Sequence, residues 1–594
     1  MCGFIGKISY SNFDHNELIQ PNELITCRGP DKTKTVSSFD GNINYSFIFN
    51  RLSILDLSET ANQPMLSHDS ETILMFNGEI YNHAELRSDL INKGLKFITS
   101  HSDTEVVLKG IMHYGLDFIK NLRGMFSIIY LDKKNKRMYM IRDRLGQKPL
   151  YYKFTKNEIL FASNLKALLR LDSEKELDFQ KVNSYIKLGI VSSPDTIFKN
   201  YFKVEPSEII EIDYSSSEYK INKTIYWKPE DYLDNKKFLK EEFFNLFNES
   251  VGLRLEADVP VATFLSGGLD SSSIVKTLYD MGKEINTFSV TLDNKNYDES
   301  KWSNLVASQY NTQHKSVNIS SKVSFSDIHN SLDSLDEPYA DPSVVPSFLL
   351  SKEISSLFKV AISGDGGDEL LGGYLRTRKT LQNKSKINQQ ISKLYNLYPA
   401  FLGTGNFFLS KSNDIGLSYN SFLEDNKLLK LLGLQEDVND NSIEIDKSID
   451  PYKSLLLADY RFYLPEMMMF KVDRTSMANS LEVRSPFVDH KLIEYMFSHN
   501  TDYFDHSASK KLLREFLLKD LGKEFTERRK KGFVFDIENT IYKNFNYFNE
   551  YINNGKLVEL YNTKPINLLK INQSRINSHR IWKLFVIENY LSSI

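Results

Sequence analysis

The sequence predicts two domains of different class. An α+β domain with two layers of β-structure precedes an α/β domain with a parallel sheet and a mainly helical C-terminal part. Three patterns carry this expectation. Up to about residue 200 the chain reads as strands and short turns with a few helices. From near Tyr226 short apolar strands alternate with helical spacing, as in a parallel sheet. From Tyr452 onward the periodicity is that of helices.

In chain order, FIGKIS, NYSFIFNRLSIL and TILMFNGEI are β-rich runs. Ser127 to Ile141 (SIIYLDKKNKRMYMI) sets two apolar runs around a charged turn. LYYKFTKNEILFAS repeats that hairpin pattern, with Thr155-Lys156-Asn157 at its turn. Between the early strands and the hairpins, HAELRSDLINKG and SDTEVVLKGIMHYG have helical spacing. Beyond Tyr226, FLKEEFFNLFNESVGLRL is an amphipathic helix, VPVATFL a buried strand, SGGLDSS a glycine turn and SIVKTLYDMGK a helix. NTFSVTL, HKSVNIS and KVAIS follow as strands separated by helical patterns. The expected domains span 2–212 and 236–594, with an Asn-, Lys- and Ser-rich insert at about 380–450. The Met467-Met468-Met469 run reads as core packing.

Of the 594 residues, 41% are hydrophobic and 25% charged, an ordinary soluble globular composition. The 74 Lys and Arg against 77 Asp and Glu leave a net charge of −3. This excludes a basic nucleic-acid footprint over the whole chain and a solvating acidic tail. No run approaches the ~18 consecutive apolar residues of a membrane span, so none is expected. MCGFIGKISY lacks the basic region and long apolar run of a secretory signal. Two cysteines, Cys2 and Cys27, exclude a disulfide framework and point to a reducing cytoplasm.

Cys2 follows the initiator methionine. A small residue there permits methionine removal, which would put a thiol and a free α-amine on one residue. That amine titrates near ~7.7–8.0, so part of it is a neutral base at cytoplasmic pH. A thiol beside its own amine is a compact nucleophile–base pair. Alone, the position carries little weight, but it has company. Arg51 opens RLSILDLS, Asn77-Gly78-Glu79 lies in FNGEIYN, and Asp103 lies in SDTEV.

These segments resemble the glutaminase domain of N-terminal-nucleophile amidotransferases, the type fused to asparagine synthetases. The resemblance implies the αββα fold of that hydrolase class. It implies that Cys2 attacks the glutamine side-chain amide, giving a γ-glutamyl thioester and ammonia. Asn77 and the backbone N–H of Gly78 would form the oxyanion hole. Arg51 would pair with the glutamine α-carboxylate, and Asp103 with Glu79 would hold the α-ammonium. Cys27-Arg28-Gly29-Pro30-Asp31 departs from the family, which usually has histidine before RGPD; little effect is expected, since that residue is not the nucleophile.

Ser266-Gly267-Gly268-Leu269-Asp270-Ser271-Ser272 lies between a strand and a helix. Consecutive glycines let the backbone approach an anion, and the serines and N–H groups at a helix start are phosphate donors. Asp270 can hold Mg²⁺ against phosphate oxygens. No GxxxxGK[ST] motif occurs. The segment resembles the loop of enzymes that cleave ATP between its α and β phosphates, and the resemblance places Leu265 and Val290 against the adenine. A second loop, Ser363-Gly364-Asp365-Gly366-Gly367-Asp368-Glu369, follows the strand KVAI. Ligands of doubly wound sheets bind beyond the carboxyl ends of strands, so the two loops are expected to be neighbours. Asp368 would be the second Mg²⁺ carboxylate and Asp365 a base for the ammonia attack.

KVDRTSMANSLEVRSPFVDHK and ERRKKGF also match the synthetase domain. Lys530 would neutralise charge developing in the transfer. Arg474, Glu482 and Arg484 are further candidates for that site, each reading equally well as a helix-surface charge or a structural ion pair. SLDEPYADPSVVP (Ser331 to Pro346) would shape the acceptor side. The adenine nucleotide alpha hydrolase-like domain would adenylate a carboxylate, and ammonia would reach it through a dry passage that keeps it unprotonated. Aspartate is the acceptor the resemblance implies, with ATP, Mg²⁺ and glutamine as its other requirements and a homodimer as its assembly. Asp365 stands where asparagine-making relatives commonly carry glutamate. A carboxylated sugar (a uronic acid) therefore stays open as acceptor.

Overall fold

The computed structural model describes residues 2–594 except 40–42, 173–174, 217, 292–297, 320–322, 383–384, 435–441, 505–508, 529–534, 563, 565–568 and 570–571. The N-terminal strands are β1 (Gly3–Ser9), β2 (Lys32–Phe39), β3 (Asn44–Arg51), β4 (Met65–Leu66), β5 (Thr72–Ile80), β6 (Gly124–Asp132), β7 (Arg137–Arg142), β8 (Tyr151–Phe154), β9 (Glu158–Ala162), β10 (Phe202–Lys203), β11 (Glu208–Asp213) and β12 (Lys220–Ile225). They form two six-stranded sheets, β10–β8–β9–β1–β3–β2 and β12–β11–β7–β6–β5–β4.

The strand sequences explain the stacking. All seven residues of β1 are buried, and alternate side chains face opposite ways, so the strand needs an apolar neighbour on each face. Phe4 and Ile8 join Phe47, Phe49 and Phe161 against Met75, Ile129, Met138 and Met140 of the other sheet. Ile5, Ile48 and Ala162 face outward and are covered by Leu168, Leu169 and Ile186, with Trp582 and Phe585 beyond. Phe76 and Ile128 on the second sheet's outer face are covered by Val106, Val107 and Ile111. The last three belong to α2 (Asp103–Tyr114), which follows α1 (His83–Asn92). Helix, sheet, sheet and helix stack in that order, as expected.

The second domain begins with α3 (Lys240–Leu253), β13 (Val261–Phe264), α4 (Leu269–Asp280), β14 (Asn286–Thr291), β15 (Gln313–Asn318) and β16 (Val360–Ile362). It continues through α5 (Phe470–Met477), β17 (Glu482–Arg484), α6 (Lys511–Glu527) and α7 (Arg575–Ser593), the last of which carries Trp582 and Phe585. The sheet runs β15–β14–β13–β16–β17, and every pairing in it is parallel. From β13 the chain lays strands to one side, then returns to the other. The switch falls between β13 and β16, where such sheets open a crevice.

Three details differ from expectation. β3 stops at Arg51, and LSIL continues as a loop. β17 was not expected as a strand; Glu482 and Arg484 are wholly buried in it. Of the methionine run, Met469 packs in the core whereas Met468 lines a cleft.

Buried charges join the two domains. Arg28 grips Asp473 through both terminal nitrogens, at 2.9 and 3.1 Å. Lys148 stands 3.5 Å from the same carboxylate. Burial opposes ionisation of Asp473, but Arg28, Lys148 and Arg474 together hold its carboxyl well below the usual range. Arg123 pairs with Asp489 at 2.9 Å, and Arg474 donates to the Tyr151 hydroxyl of the first domain at 2.8 Å. Removing one partner of a buried pair leaves an uncompensated charge. Arg28→Met is therefore expected to destabilise the chain by about 3 kcal/mol, the low end of the usual range because two cations stay near Asp473. Urea unfolding measures this, and an unchanged midpoint would show the pair to be idle.

Candidate active site

The first cluster gathers at the sheet ends of the N-terminal domain. Cys2 is buried at the head of β1, and its N–H donates to Asn77 Oδ1 at 3.0 Å. Burial pushes the thiol up, while the backbone N–H of Leu52 and the charge of Arg51 favour the thiolate. Asn77, Gly78 and Glu79 follow one another on β5. A Cβ at Gly78 would lie 2.0 Å from Met125 O, so β6 can pair there only with glycine.

Arg51 ends β3 and is turned into the following loop. One terminal nitrogen donates to Ser58 O and Asn62 Oδ1, at 2.9 and 2.8 Å, and the other to the carbonyls of Leu55 and Asp56. It thus fixes the 55–62 loop and lends its charge to the Cys2 thiol.

Asp103 opens α2 and accepts from Ile80 N–H at 3.0 Å. Burial pushes its carboxyl up to about 6. Glu79 is pushed up further, by burial and then by the Asp103 charge. Its Oε1 is buried without a hydrogen-bond partner, and its Oε2 lies 3.2 Å from Arg484 of the other domain. Two buried carboxyls with an unused acceptor suit an incoming ammonium group.

The second cluster is the crevice between β13 and β16. A cavity of ≈360 Å³ is lined by Leu265, Ser266, Asp270, Ser271, Val290, Ser363, Gly364, Asp365 and Asp368, among others. Its adjoining loops touch: a Cβ at Gly364 would lie 2.9 Å from Asp270 Cβ. Gly267 has φ +72°, and a Cβ there would lie 2.7 Å from Ser303 N. Gly267, Gly268 and Ser272 do not line the cavity; the Ser272 hydroxyl is buried without a partner. Asp270 and Asp368 present oxygens, the donors that Mg²⁺ takes, and a lysine ammonium already sits between them. The residues therefore fit the metal.

Lys530 lies outside the described residues. At the end of α6, Arg528 donates to Gly267 O at 2.6 Å and pairs with Glu299 at 2.6 Å, which ties the end of that helix to the glycine loop.

Several residues escaped the sequence reading. On the far side of the cavity Lys471 donates to Ser343 Oγ at 3.0 Å and stands 3.5 Å from Asp341. Glu369, also in the lining, is pushed up to about 8 by burial and the nearby Asp368 and Asp459 charges. Arg28 donates through Nε to the carbonyl of Cys2 at 3.2 Å and so touches both Cys2 and Asp473. A small cavity of ≈10 Å³, lined by Gln147, Lys148, Met469, Asp473 and Ser485 among others, shares Ser363, Val472 and Val483 with the larger one.

A cysteine heading a buried strand of an αββα domain, docked on a nucleotide-type α/β crevice, defines a glutamine amidotransferase joined to a ligase. The asparagine synthase family model matches residues 242–587, and the glutamine amidotransferase domain model matches 1–227. The chain belongs to the asparagine synthase family. It is 30% identical over 577 residues to asparagine synthetase [glutamine-hydrolyzing] 1 of Bacillus subtilis, covering 93% of this chain and 89% of that one. It is 35% identical over 402 residues to putative asparagine synthetase [glutamine-hydrolyzing] 2 of Methanocaldococcus jannaschii, covering 63% and 76% of the two chains. Asparagine synthetase [glutamine-hydrolyzing] 2 of Bacillus subtilis is 28% identical, covering 94% and 75%. Among the described residues, no helix is long and apolar enough to cross a membrane.

Proposed function

We propose that this chain is a glutamine-dependent asparagine synthetase, with glutaminase chemistry in 2–212 and ATP-dependent amide formation in 236–594. Removal of Met1 would free the Cys2 amine, held by Asn77, as base for its own thiol. The thiolate attacks the glutamine amide, and Asn77 with the Gly78 N–H takes the oxyanion. Asp103 and Glu79 hold the substrate ammonium, and Arg51 faces the α-carboxylate side. Water then releases glutamate from the thioester.

ATP is a substrate of the second cavity, with Leu265 and Val290 at its base and Ser266, Ser271, Ser363 and Gly364 at its phosphates. Mg²⁺, held by Asp270 and Asp368, would neutralise phosphate charge. A carboxylate oxygen attacks the α-phosphate of ATP and expels pyrophosphate, and the acyl-adenylate that results carries AMP as a good leaving group. Ammonia then displaces AMP, with Asp365 and Lys530 as the proposed base and cation.

The observation that carries the acceptor assignment is the Lys471–Asp341 pair in the cavity wall. A cation and an anion side by side match the α-carboxylate and α-ammonium of aspartate. A uronic acid offers no ammonium; only the shorter Asp365 leaves it room. The small cavity between the clusters holds roughly one water-sized molecule. Its size suits ammonia.

The test is to incubate the protein with ATP, Mg²⁺, glutamine and aspartate. Asparagine and AMP in equal amounts support the reading, and glutamate formation without asparagine overturns the acceptor.

The Asp103 carboxyl, pushed up to about 6, must be ionised to hold ammonium. Protonation below that value removes the charge, so KM for glutamine should be about tenfold higher at pH 5 than at pH 7. Ammonia-dependent synthesis at matched free NH₃ serves as control, and a flat KM would remove Asp103 from this role.

A further inference from the structure

Lys510 lies immediately before α6, is only 5% exposed, and is driven between the two carboxylates of the nucleotide cavity. Its Nζ is 2.6 and 2.5 Å from the two oxygens of Asp270 and 2.7 Å from Asp368 Oδ1. The approach is enforced from two directions. The Lys510 backbone is left-handed, with φ +53°, a conformation that lysine adopts only when its surroundings fix it. On the other side Gly373 makes room: a Cβ there would lie 2.0 Å from Asp368 Oδ1 and 2.4 Å from Lys510 Cε. The cluster as a whole is thus a cation held by three carboxylate oxygens.

We propose that Lys510 is a resident counter-ion that keeps free divalent cations off Asp270 and Asp368 until nucleotide arrives. The inference rests on the reading of those two carboxylates as the Mg²⁺ ligands. Magnesium needs its oxygens at ~2.0–2.1 Å in near-octahedral array. Both oxygens of Asp270 are already engaged by the ammonium, so the metal can use them only if the ammonium gives way. A bare metal ion would face the Lys510 ammonium at close range, and the two cations would compete for Asp270 and Asp368. A triphosphate changes the balance. Its oxygens complete the metal's coordination and give the displaced ammonium a new anionic partner. Metal and nucleotide therefore bind with reciprocal positive coupling. The enzyme is loaded by the metal–nucleotide complex, and until then Lys510 offsets one of the two carboxylate charges.

The experiment is a Mn²⁺ titration of the full chain followed by electron paramagnetic resonance, with and without a non-hydrolysable ATP analogue. The wild type should bind Mn²⁺ at this site only with the analogue present. Lys510→Met keeps the bulk of the stem and removes the charge, and it should bind Mn²⁺ without nucleotide at least about tenfold more tightly than the wild type. Lys510→Arg should behave as the wild type does, and Lys510→Met with Asp368→Asn should lose the gain. Nucleotide-free Mn²⁺ binding by the wild type that is lost in Asp270→Asn would overturn the counter-ion role. That measurement stands even where Lys510→Met does not fold. Absence of Mn²⁺ binding in every form, with analogue present, would instead overturn the metal assignment itself.

Discussion

Cys2→Ala should remove glutamine-dependent synthesis and leave ammonia-dependent synthesis near the wild-type rate. The expected loss in glutamine hydrolysis is ~10³-fold or more, because the sulfur forms the covalent intermediate and no other group can take its place. Cys2 lies at the head of β1 in the first domain, and the nucleotide cavity lies beyond β13 and β16 in the second. The side chain is small and meets an apolar cluster, so alanine fills the position without a new unpaired charge. Arg28 binds the Cys2 carbonyl, not the sulfur, and its grip on Asp473 survives the change. Supplied ammonia should then reach the same acyl-adenylate. Assaying asparagine with each nitrogen source in turn measures the split. Equal loss with both would mean that the two centres are not separable in the way proposed.

That separation was legible in the sequence because each centre has its own local motif. Cys2, its strand and the Asn77–Glu79 run lie on apolar β-segments that are strands in the fold. The two glycine loops each follow a short apolar strand, and parallel pairing of β13 with β16 makes them neighbours, as the strand-end rule requires. What escaped depends on contacts distant in sequence. Glu482 and Arg484 alternate along a buried strand, where charge normally argues against burial. Their environment is made habitable by each other and by Glu79 of the first domain. Arg28 sits in a motif whose notable departure seemed to be Cys27, yet Cys27 is exposed and Arg28 is the residue between the centres. Lys510 follows a polar run with no motif at all. Its position is set by a left-handed backbone and the gap at Gly373, neither of which a periodicity can reveal.

Asp270→Asn should give the opposite signature to Cys2→Ala. AMP and pyrophosphate formation should fall by about 10²–10³-fold with glutamine and ammonia alike, as expected for loss of one preorganised electrostatic group. Glutamine hydrolysis should continue. Asp270 stands in the first turn of α4, beside the helix N-terminus, and Gly364 and Gly367 of the second loop pack against its side chain. A Cβ at Gly367 would lie 2.6 Å from Asp270 Oδ1, so the carboxylate fits a pocket with little slack. Asparagine preserves that shape, removes the charge and replaces one of the two oxygens that accept from Lys510 with an amide donor. The variant thus tests electrostatics and not packing. Its loss should appear in kcat, and raising Mg²⁺ should restore it only in part, because the neutral amide still offers one oxygen but no longer attracts the cation. Lys510 would keep a single carboxylate partner, Asp368, at 2.7 Å. A variant that still releases AMP at the wild-type rate would place the metal elsewhere and leave Asp270 with a structural role beside Lys510.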